Sequence, residues 1–483
     1  MTSFSSSRRD FLRKAACSSL AAASGSALLT QLSLMNSALA ATSCASYPPV
    51  SDYRALVCLF LLGGNDSWNL LVPTDTARYN TYVTSRSGII NPAMPNNSGM
   101  AVDSSQLLPV NVLNAGSGHT YGVHPSCPEL ASLFNSGAGA FGVNIGTLLQ
   151  PTTKTTYGNG SVPLPPQLFS HADQQGQWQY GQPTANGSTG WGGLMSDRLY
   201  VLNAGATIPM SISLSGQNRF QAGINVQPYS ISGAGPIALG GYTGSAGTAK
   251  LNALEELLAL SYPDPLSRTY ASKVNNAIGY YNTMSSALAG APTLNTVFPA
   301  NNPVADALKM IAKVISVRGA LQAKRQVFFV SYGSFDTHDT QVVGQPKLLS
   351  TISSALGAFY NATVELGVQN SVTSFTLSEF ARTLNSNGDG TDHAWAGNQF
   401  VMGGSVKGQN IYGRPAVSGG LFPDQTLNGP DCLARGQMIP GASCDQYSAT
   451  LARWLGLNDC DIATIFPYVN NFNSPTWDLG FMS

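Results

Sequence analysis

The sequence is poor in charge, in histidine and in long apolar runs. Charged side chains make up 10% of the 483 residues, and the 24 basic and 24 acidic groups balance, so nothing favours a nucleic-acid partner. After the N-terminal segment, no run reaches the roughly 18 apolar residues of a membrane helix. We therefore expect neither nucleic-acid binding nor stable membrane insertion.

Several catalytic motifs are also absent. The seven cysteines include no C-x-x-C pair, which disfavours a zinc ribbon or a thioredoxin-type site. No G-x-S-x-G elbow, Walker loop, or flavin or dinucleotide fingerprint occurs. These absences argue against serine esterases, nucleoside triphosphatases and redox enzymes with an organic cofactor.

The N-terminus carries a targeting signal. The stretch "SRRDFLRKAA" contains the adjacent Arg8 and Arg9, and small residues at Ala38 and Ala40 suit signal-peptidase cleavage. We predict a twin-arginine signal peptide at residues 1–40, followed by one domain at 41–483. The mature protein would be periplasmic or secreted, with the twin-arginine translocase as its partner during export.

Six cysteines remain after that cleavage. In an oxidising compartment some should pair, and Cys432 with Cys444 is the most natural candidate because they bracket a Gly/Pro loop. Cys58 lies within an apolar strand and is predicted to be a buried thiol.

Short apolar runs alternate with helical patterns along the chain. Strands are predicted at 55–62, 327–331, 372–377 and 399–403, and helices at 250–261, 304–317, 347–366 and 447–455. This alternation predicts an α/β fold with a mostly parallel central sheet and helices on both faces. Residues 205–247, which are rich in glycine and alternate with period two, are predicted to be a β-rich insertion.

Polar residues follow the predicted strands. Asp66 follows a glycine pair after the first strand, and Asp336 and His338 follow the second with a spacing that places both side chains on one side. Asp392 and His393 stand side by side in a loop before the fourth strand. A turn, a cap or a structural histidine would explain each one singly, whereas the set of five suits a divalent metal ion such as zinc, manganese or calcium.

Other polar groups have two interpretations. After the third strand, Glu379 and Arg382 are either an ion pair at the start of a helix or functional groups. In the second interpretation Glu379 binds the metal or orients a ligand, and Arg382 binds an anion. Ser170 and His171 precede a short predicted helix, where Ser170 is either a cap or an attacking hydroxyl aided by the helix dipole. Ser67, beside Asp66, is a rival nucleophile.

Several of these stretches occur together in a known family. The succession "GGND", "FSHADQQGQW", "FDTHDTQ", "SEFART", "GTDHAW", "DQYSATLARWLGL" and "IFPY" resembles the exported family called domain of unknown function 1501, over almost the whole mature chain. That family is grouped with the alkaline phosphatase-like superfamily, which includes sulfatases.

The resemblance implies roles for particular residues. It implies metal ligands at Asp66, Asp336, His338, Asp392 and His393, and a nucleophile at Ser170 or its neighbour His171. Together with the anion-binding Arg382 considered above, Ser170 and His171 are the predicted catalytic residues. Two features depart from the superfamily pattern. No histidine follows His393, so His171 or Glu379 would have to replace it, or only one ion binds. No Cys/Ser-x-Pro-x-Arg sulfatase signature is present.

The sequence therefore predicts an exported metal-dependent hydrolase of phosphate or sulfate esters. Its substrate would be a small ester or an anionic polymer. The alternative is a non-catalytic exported binding or surface protein that retains the fold with a degenerate metal site.

Overall fold

The computed structural model describes residues 46–94, 98–182, 187–242, 244–472 and 476–483. The signal peptide predicted at residues 1–40 lies outside the described residues. Tyr47–Ser483 form one compact unit, and none of the helices described in it is both long enough and apolar enough to cross a bilayer.

The strands form one large sheet and one small sheet. They are β1 (Arg54–Leu61), β2 (Leu71–Pro73), β3 (Leu108–Val110), β4 (Tyr121–Val123), β5 (Gly139–Gly146), β6 (Ser211–Ser213), β7 (Tyr229–Ser230), β8 (Arg325–Tyr332), β9 (Val372–Leu377), β10 (Gly397–Met402), β11 (Ile411–Tyr412) and β12 (Ala442–Ser443). The large sheet has the order β11-β5-β10-β9-β1-β8-β6-β7, with β12 beside β5. Only the pairings of β10 are antiparallel, so the predicted mostly parallel sheet is confirmed. The small sheet, β2-β4-β3, is antiparallel.

Helices cover both faces of the large sheet. They are α1 (Thr76–Ser85), α2 (Pro128–Asn135), α3 (Lys154–Gly158), α4 (His171–Tyr180), α5 (Trp191–Leu199), α6 (Gly244–Leu258), α7 (Pro265–Ala289), α8 (Pro303–Ser316), α9 (Gln341–Glu365), α10 (Cys444–Leu455) and α11 (Asp459–Ile465). Alternate residues of β1 enter two cores, with Val57 and Leu59 in one and Cys58 and Phe60 in the other. Helices α2, α8 and α9 pack on the first core, and α5, α10 and α11 on the second. A strand buried on both faces needs apolar residues at every position, which explains the continuous run in the sequence.

Helix α8 shows how local sequence and packing agree. Asn302 caps its N-terminus by accepting a hydrogen bond from the Ala305 N–H at 3.0 Å, and Pro303 occupies the first helical position. The apolar positions Leu308 and Ile311, one turn apart, are fully buried. Burial of each such side chain stabilises the fold by about 1.5–3 kcal/mol.

The insertion at residues 205–247 belongs to the edge of the large sheet. It supplies β6, which pairs with β8, and β7, which pairs with β6. Most of the remaining described residues of the segment form turns and loops around these two short strands.

The predicted pairing of Cys432 with Cys444 is wrong. Both are free, and so are Cys58 and Cys127, all four of them buried. The physical reason is that Cys432 packs in the core on one face of the sheet while Cys444 packs in the core on the other. Burial as a free thiol confirms the prediction for Cys58.

Candidate metal centre

The centre is built at the end of β1, where two glycines turn the chain. Gly63 and Gly64 have positive φ angles of 118° and 79°. A Cβ atom on Gly63 would lie 2.3 Å from the Asp336 nitrogen, so only glycine allows the loop after β8 to approach so closely. The N–H of Gly63 donates a hydrogen bond to Oε1 of Glu379 at 2.8 Å.

Three imidazoles and a carboxylate converge beside this turn. Nε2 of His393 lies 3.0 Å from Nε2 of His171 and 2.8 Å from Nε2 of His338. Asp336 contacts all three rings, with its oxygens 3.3 Å from His171, 3.1 Å from His338 and 3.3 Å from His393. The ligand atoms of His171, Asp336 and His393 all lie within 4.8 Å of one another. The four side chains come from α4, the loop after β8 and the loop before β10.

The contacts of the three Nδ1 atoms determine which nitrogen of each histidine carries the proton. Nδ1 of His393 contacts the Phe169 carbonyl at 2.8 Å, and a carbonyl can only accept. Nδ1 of His171 contacts Glu379 at 2.9 Å, and Nδ1 of His338 contacts Asp392 at 3.2 Å. Each Nδ1 therefore carries the proton, so each neutral ring turns the lone pair of Nε2 toward the others.

This arrangement fits a cation better than a proton. The Nε2 atom of His393 has one lone pair but two imidazole neighbours, so one proton could satisfy only one of those contacts. Ligand atoms around a tetrahedral zinc ion lie about 3.3 Å apart, as Zn–N bonds of 2.0–2.1 Å require. The observed separations of 2.8–3.3 Å are close to that spacing. Imidazole donors favour zinc or another transition metal over calcium.

The charges around the cluster shift its pKa values in opposite directions. The hydrogen bond to Glu379, with the charges of Glu379 and Asp336, raises the pKa of His171 against the opposing effect of burial. Burial lowers the pKa of His393, and the charges of His171 and Arg382 lower it further. Burial alone would raise the pKa of Asp336, but the hydrogen bond and charge of Arg382 and the two histidine charges bring it below its usual range. Asp336 is thus ionised and ready to bind a cation.

Arg382 is buried behind the cluster. Its side chain is fully buried and donates to Asp336 Oδ1 at 2.6 Å and to the carbonyls of Gly63 and Thr391. Burial lowers the pKa of Arg382, partly offset by the hydrogen bond and charge of Asp336. This geometry makes Arg382 a positioning group for Asp336, whereas the sequence predicted a catalytic, anion-binding side chain.

Asp392 contacts the Nδ1 atom of His338, on the side of the ring that faces away from the cluster. Its Oδ1 is held by His338 and by Asn387 at 3.0 Å, and its Oδ2 is held by Arg435. Burial raises the pKa of Asp392, but the hydrogen bonds and the charge of Arg435 outweigh burial and lower it. The predicted metal ligand is thus placed as the orienting partner of a ligand.

Asp66 is not brought to the cluster. Its side chain is fully buried and forms an ion pair with Arg86, and its Oδ2 also accepts a hydrogen bond from Gln341. Such a carboxylate needs a fixed partner, and Arg86, twenty positions further along the chain, supplies it. The interpretation of Asp66 as a metal ligand therefore does not match its placement.

The two predicted nucleophiles differ in access. Ser67 is buried, and its Oγ accepts a hydrogen bond from the Asn398 N–H at 2.7 Å, so it faces the interior. Ser170 is half-buried next to His171, at the position that caps α4, and its hydroxyl donates to Asp173 at 2.6 Å instead of capping the helix backbone.

Sequence analysis missed two features of the centre. Phe169 has a φ of 71°, which is unusual for an aromatic residue, and this conformation accompanies the contact of its carbonyl with His393. Every residue has a backbone carbonyl, so the residue type does not reveal which carbonyl contacts a histidine. Arg435 was also missed, because it lies in a Gly-rich loop without a motif.

The fold and the site define an α/β protein with a surface cluster of imidazole and carboxylate groups suited to a metal ion. The chain belongs to the family described as "Protein of unknown function (DUF1501)", which matches residues 53–420. This match confirms the predicted family, and the two motifs at 445–457 and 465–468 lie beyond it. No curated protein matches the chain. Among solved structures, it is similar to a substituted form of the alkaline phosphatase PafA, with 10% identity and a TM-score of 0.21, covering 70% of this chain and 64% of that one. The match thus spans less than two thirds of that neighbour.

Proposed function

We propose that the protein is a metal-dependent hydrolase of phosphate or sulfate esters. The observation that supports it most is the convergence of the Nε2 atoms of His171, His338 and His393 with Asp336. Each Nδ1–H is held by a carbonyl or carboxylate, which is the usual surrounding of metal-binding histidines.

The cluster is open to substrate. The side chains of Asp336 and His338 are 43% and 45% exposed, so an ester can reach them from solvent. A divalent ion held there supplies positive charge that polarises an ester oxygen and activates water. Arg435, which is 56% exposed and sits beside Asp392, gives an anionic group a second positive neighbour.

The chain itself offers one candidate nucleophile. Ser170 directly precedes His171 in the chain, and its hydroxyl donates a hydrogen bond to Asp173 Oδ2 at 2.6 Å, so Asp173 is placed to take up that proton. Water is the alternative nucleophile. The buried Ser67 has no such access.

The test uses the purified mature protein with its metal content measured by mass spectrometry. The substrates are p-nitrophenyl phosphate, bis-p-nitrophenyl phosphate and p-nitrophenyl sulfate, each with added zinc, manganese or calcium. We expect about one tightly held ion per chain and turnover of at least one substrate. His393→Ala should lose both, and His119→Ala, an exposed histidine outside the cluster, should keep both. Bound metal without any turnover would refute the catalytic part.

A non-catalytic binding or surface protein is the second candidate. It is favoured by His338, whose Nε2 lies 2.8 Å from that of His393 and could add a fourth donor to the group formed by His171, Asp336 and His393. A fourth protein donor would leave no open position, as in structural zinc sites. His338→Ala separates the two functions. In a hydrolase with an open position, this variant should retain the ion, whereas a closed structural site should lose affinity sharply.

We also propose that the protein is exported to the periplasm or secreted through the twin-arginine route. The motif around Arg8 and Arg9 supports this proposal. The disulfide formed by Cys460 also suits an oxidising compartment.

A further inference from the structure

A large cavity lies beside β7, the strand at one edge of the large sheet, whereas β5 and β10 lie toward the other edge. It has a volume of about 890 Å³ and is lined by β7, by the loops on either side of it and by α7. None of the side chains of the metal centre lines it. Its volume is in the range of small-molecule sites, about 300–1,000 Å³.

Tyrosines form much of its wall. Tyr200, Tyr229, Tyr280 and Tyr281 all line the cavity, and the rings of Tyr229 and Tyr280 pack edge to face with centroids 5.6 Å apart. Aromatic rings carry partial negative charge on their faces. Such faces stack well on C–H groups that are slightly polarised by neighbouring oxygens.

The polar part of the wall is almost uncharged. Among the described residues that line the cavity, Lys273 is the only charged one, and the polar groups include the amides of Gln217, Asn225, Asn276 and Asn282. An amide side chain presents donors and an acceptor together. Aliphatic side chains, among them Ile208, Ile237 and Leu239, line other parts of the cavity, so the ligand needs an apolar face as well as hydrogen-bonding groups. A purely aliphatic ligand would leave the amides unpaired, and an anionic ligand would find a single cation among the described lining residues.

The amides set the hydrogen-bonding character of the wall, because each one offers both donors and an acceptor. A ligand whose groups both donate and accept hydrogen bonds would pair with them best.

We propose that this cavity binds a neutral carbohydrate. A sugar ring combines hydroxyls that donate and accept with a C–H face that stacks on tyrosine, and it carries no charge. These three properties match the tyrosines, the amides and the near absence of charge in the described lining. The site is separate from the metal centre, so this proposal does not depend on the hydrolase function.

The test is binding of neutral sugars to the purified mature protein. A glycan array with neutral and acidic oligosaccharides selects the probe, and calorimetry measures its affinity. We expect a neutral oligosaccharide to bind, and Tyr281→Ala to weaken binding at least tenfold. Tyr270→Ala is the matched control, because Tyr270 lies on the same helix, is 71% exposed and is not among the cavity-lining residues. The affinity of this variant for the sugar should stay within twofold of that of the unchanged protein.

Further variants keep the proposal open to refutation. If Tyr281→Ala does not fold, as judged by circular dichroism, Asn276→Ala on the exposed side of α7 replaces it and should also weaken binding. Lys273→Met should leave affinity within twofold. Failure of every neutral glycan to bind, or binding of acidic glycans or fatty acids alone, would overturn the proposal, as would equal affinity in the Tyr281 and Tyr270 variants.

Discussion

Replacing Glu379 by glutamine tests how the metal centre is oriented. Glu379 is fully buried, and its Oε1 accepts from Nδ1 of His171, from the Gly63 N–H and from Nε2 of Gln175 at 2.9, 2.8 and 2.9 Å. The substitution keeps the shape of the side chain but removes its charge. We expect His171 to lose part of its orientation and basicity as a metal ligand.

The expected loss follows from the bonds involved. Removing the partner of a metal-binding histidine costs 10–100-fold in metal affinity, or about 1.4–2.7 kcal/mol. Glutamine retains one oxygen that can accept from Gly63 and His171. We therefore expect the lower part of this range, about tenfold or ~1.4 kcal/mol in zinc affinity.

The assay is a zinc titration in competition with a chromogenic chelator at constant pH. Glu256→Gln, an exposed glutamate on α6, is the matched control and should bind zinc as tightly as the unchanged protein. A folded Glu379→Gln variant with unchanged zinc affinity would refute the role of Glu379 in orienting His171. Equal weakening in both variants would show that the effect is not local.

Two further predictions concern stability and export. Burial raises the pKa of Asp445 from an ordinary 3.8 to about 8. Between about pH 4 and pH 8 the folded state therefore keeps a proton that the unfolded state releases, so the free energy of unfolding falls as the pH rises through this range. The variant Asp445→Asn has no ionisable group there, so it should not lose stability in this way. Its Tm relative to that of the unchanged protein should rise between about pH 4 and pH 8 and stay constant above pH 8. A Tm difference that does not change with pH would contradict this prediction. Replacing Arg8 and Arg9 by lysine should keep the protein in the cytoplasmic fraction, and undiminished export would rule out the twin-arginine route.

Buried parallel strands were the most predictable part of the fold. The residues of β9 were predicted with both ends correct, and β1 and β8 within two residues, because strands buried on both faces leave an uninterrupted apolar signal. Strand β5 was missed because Gly139, Gly142 and Gly146 weaken its propensity. The antiparallel direction of β10 was also missed, since direction depends on how the connecting loops run.

Only part of the site could be predicted, because residue type and order do not fix which groups meet. Asp336, His338 and His393 were predicted as ligands and do cluster. His171 was predicted as a catalytic residue, with a ligand role considered only to replace a missing histidine. Asp66 looked equally suitable, but its pairing with Arg86 depends on how α1 packs against the end of β1. The sequence offers no local signal for such a long-range choice.

The donors of the metal centre come from segments far apart in the chain, and His393 lies 222 positions after His171. No such constellation can exist in an unfolded polypeptide, because its members meet only after β1, β8 and β10 have found their neighbours. If the centre holds an ion as proposed, its capture follows the folding of these segments and is a late event in maturation. Once captured, the ion would act as a cross-link between remote segments and slow their separation, so a chelator should hasten unfolding even if it leaves the native shape unchanged.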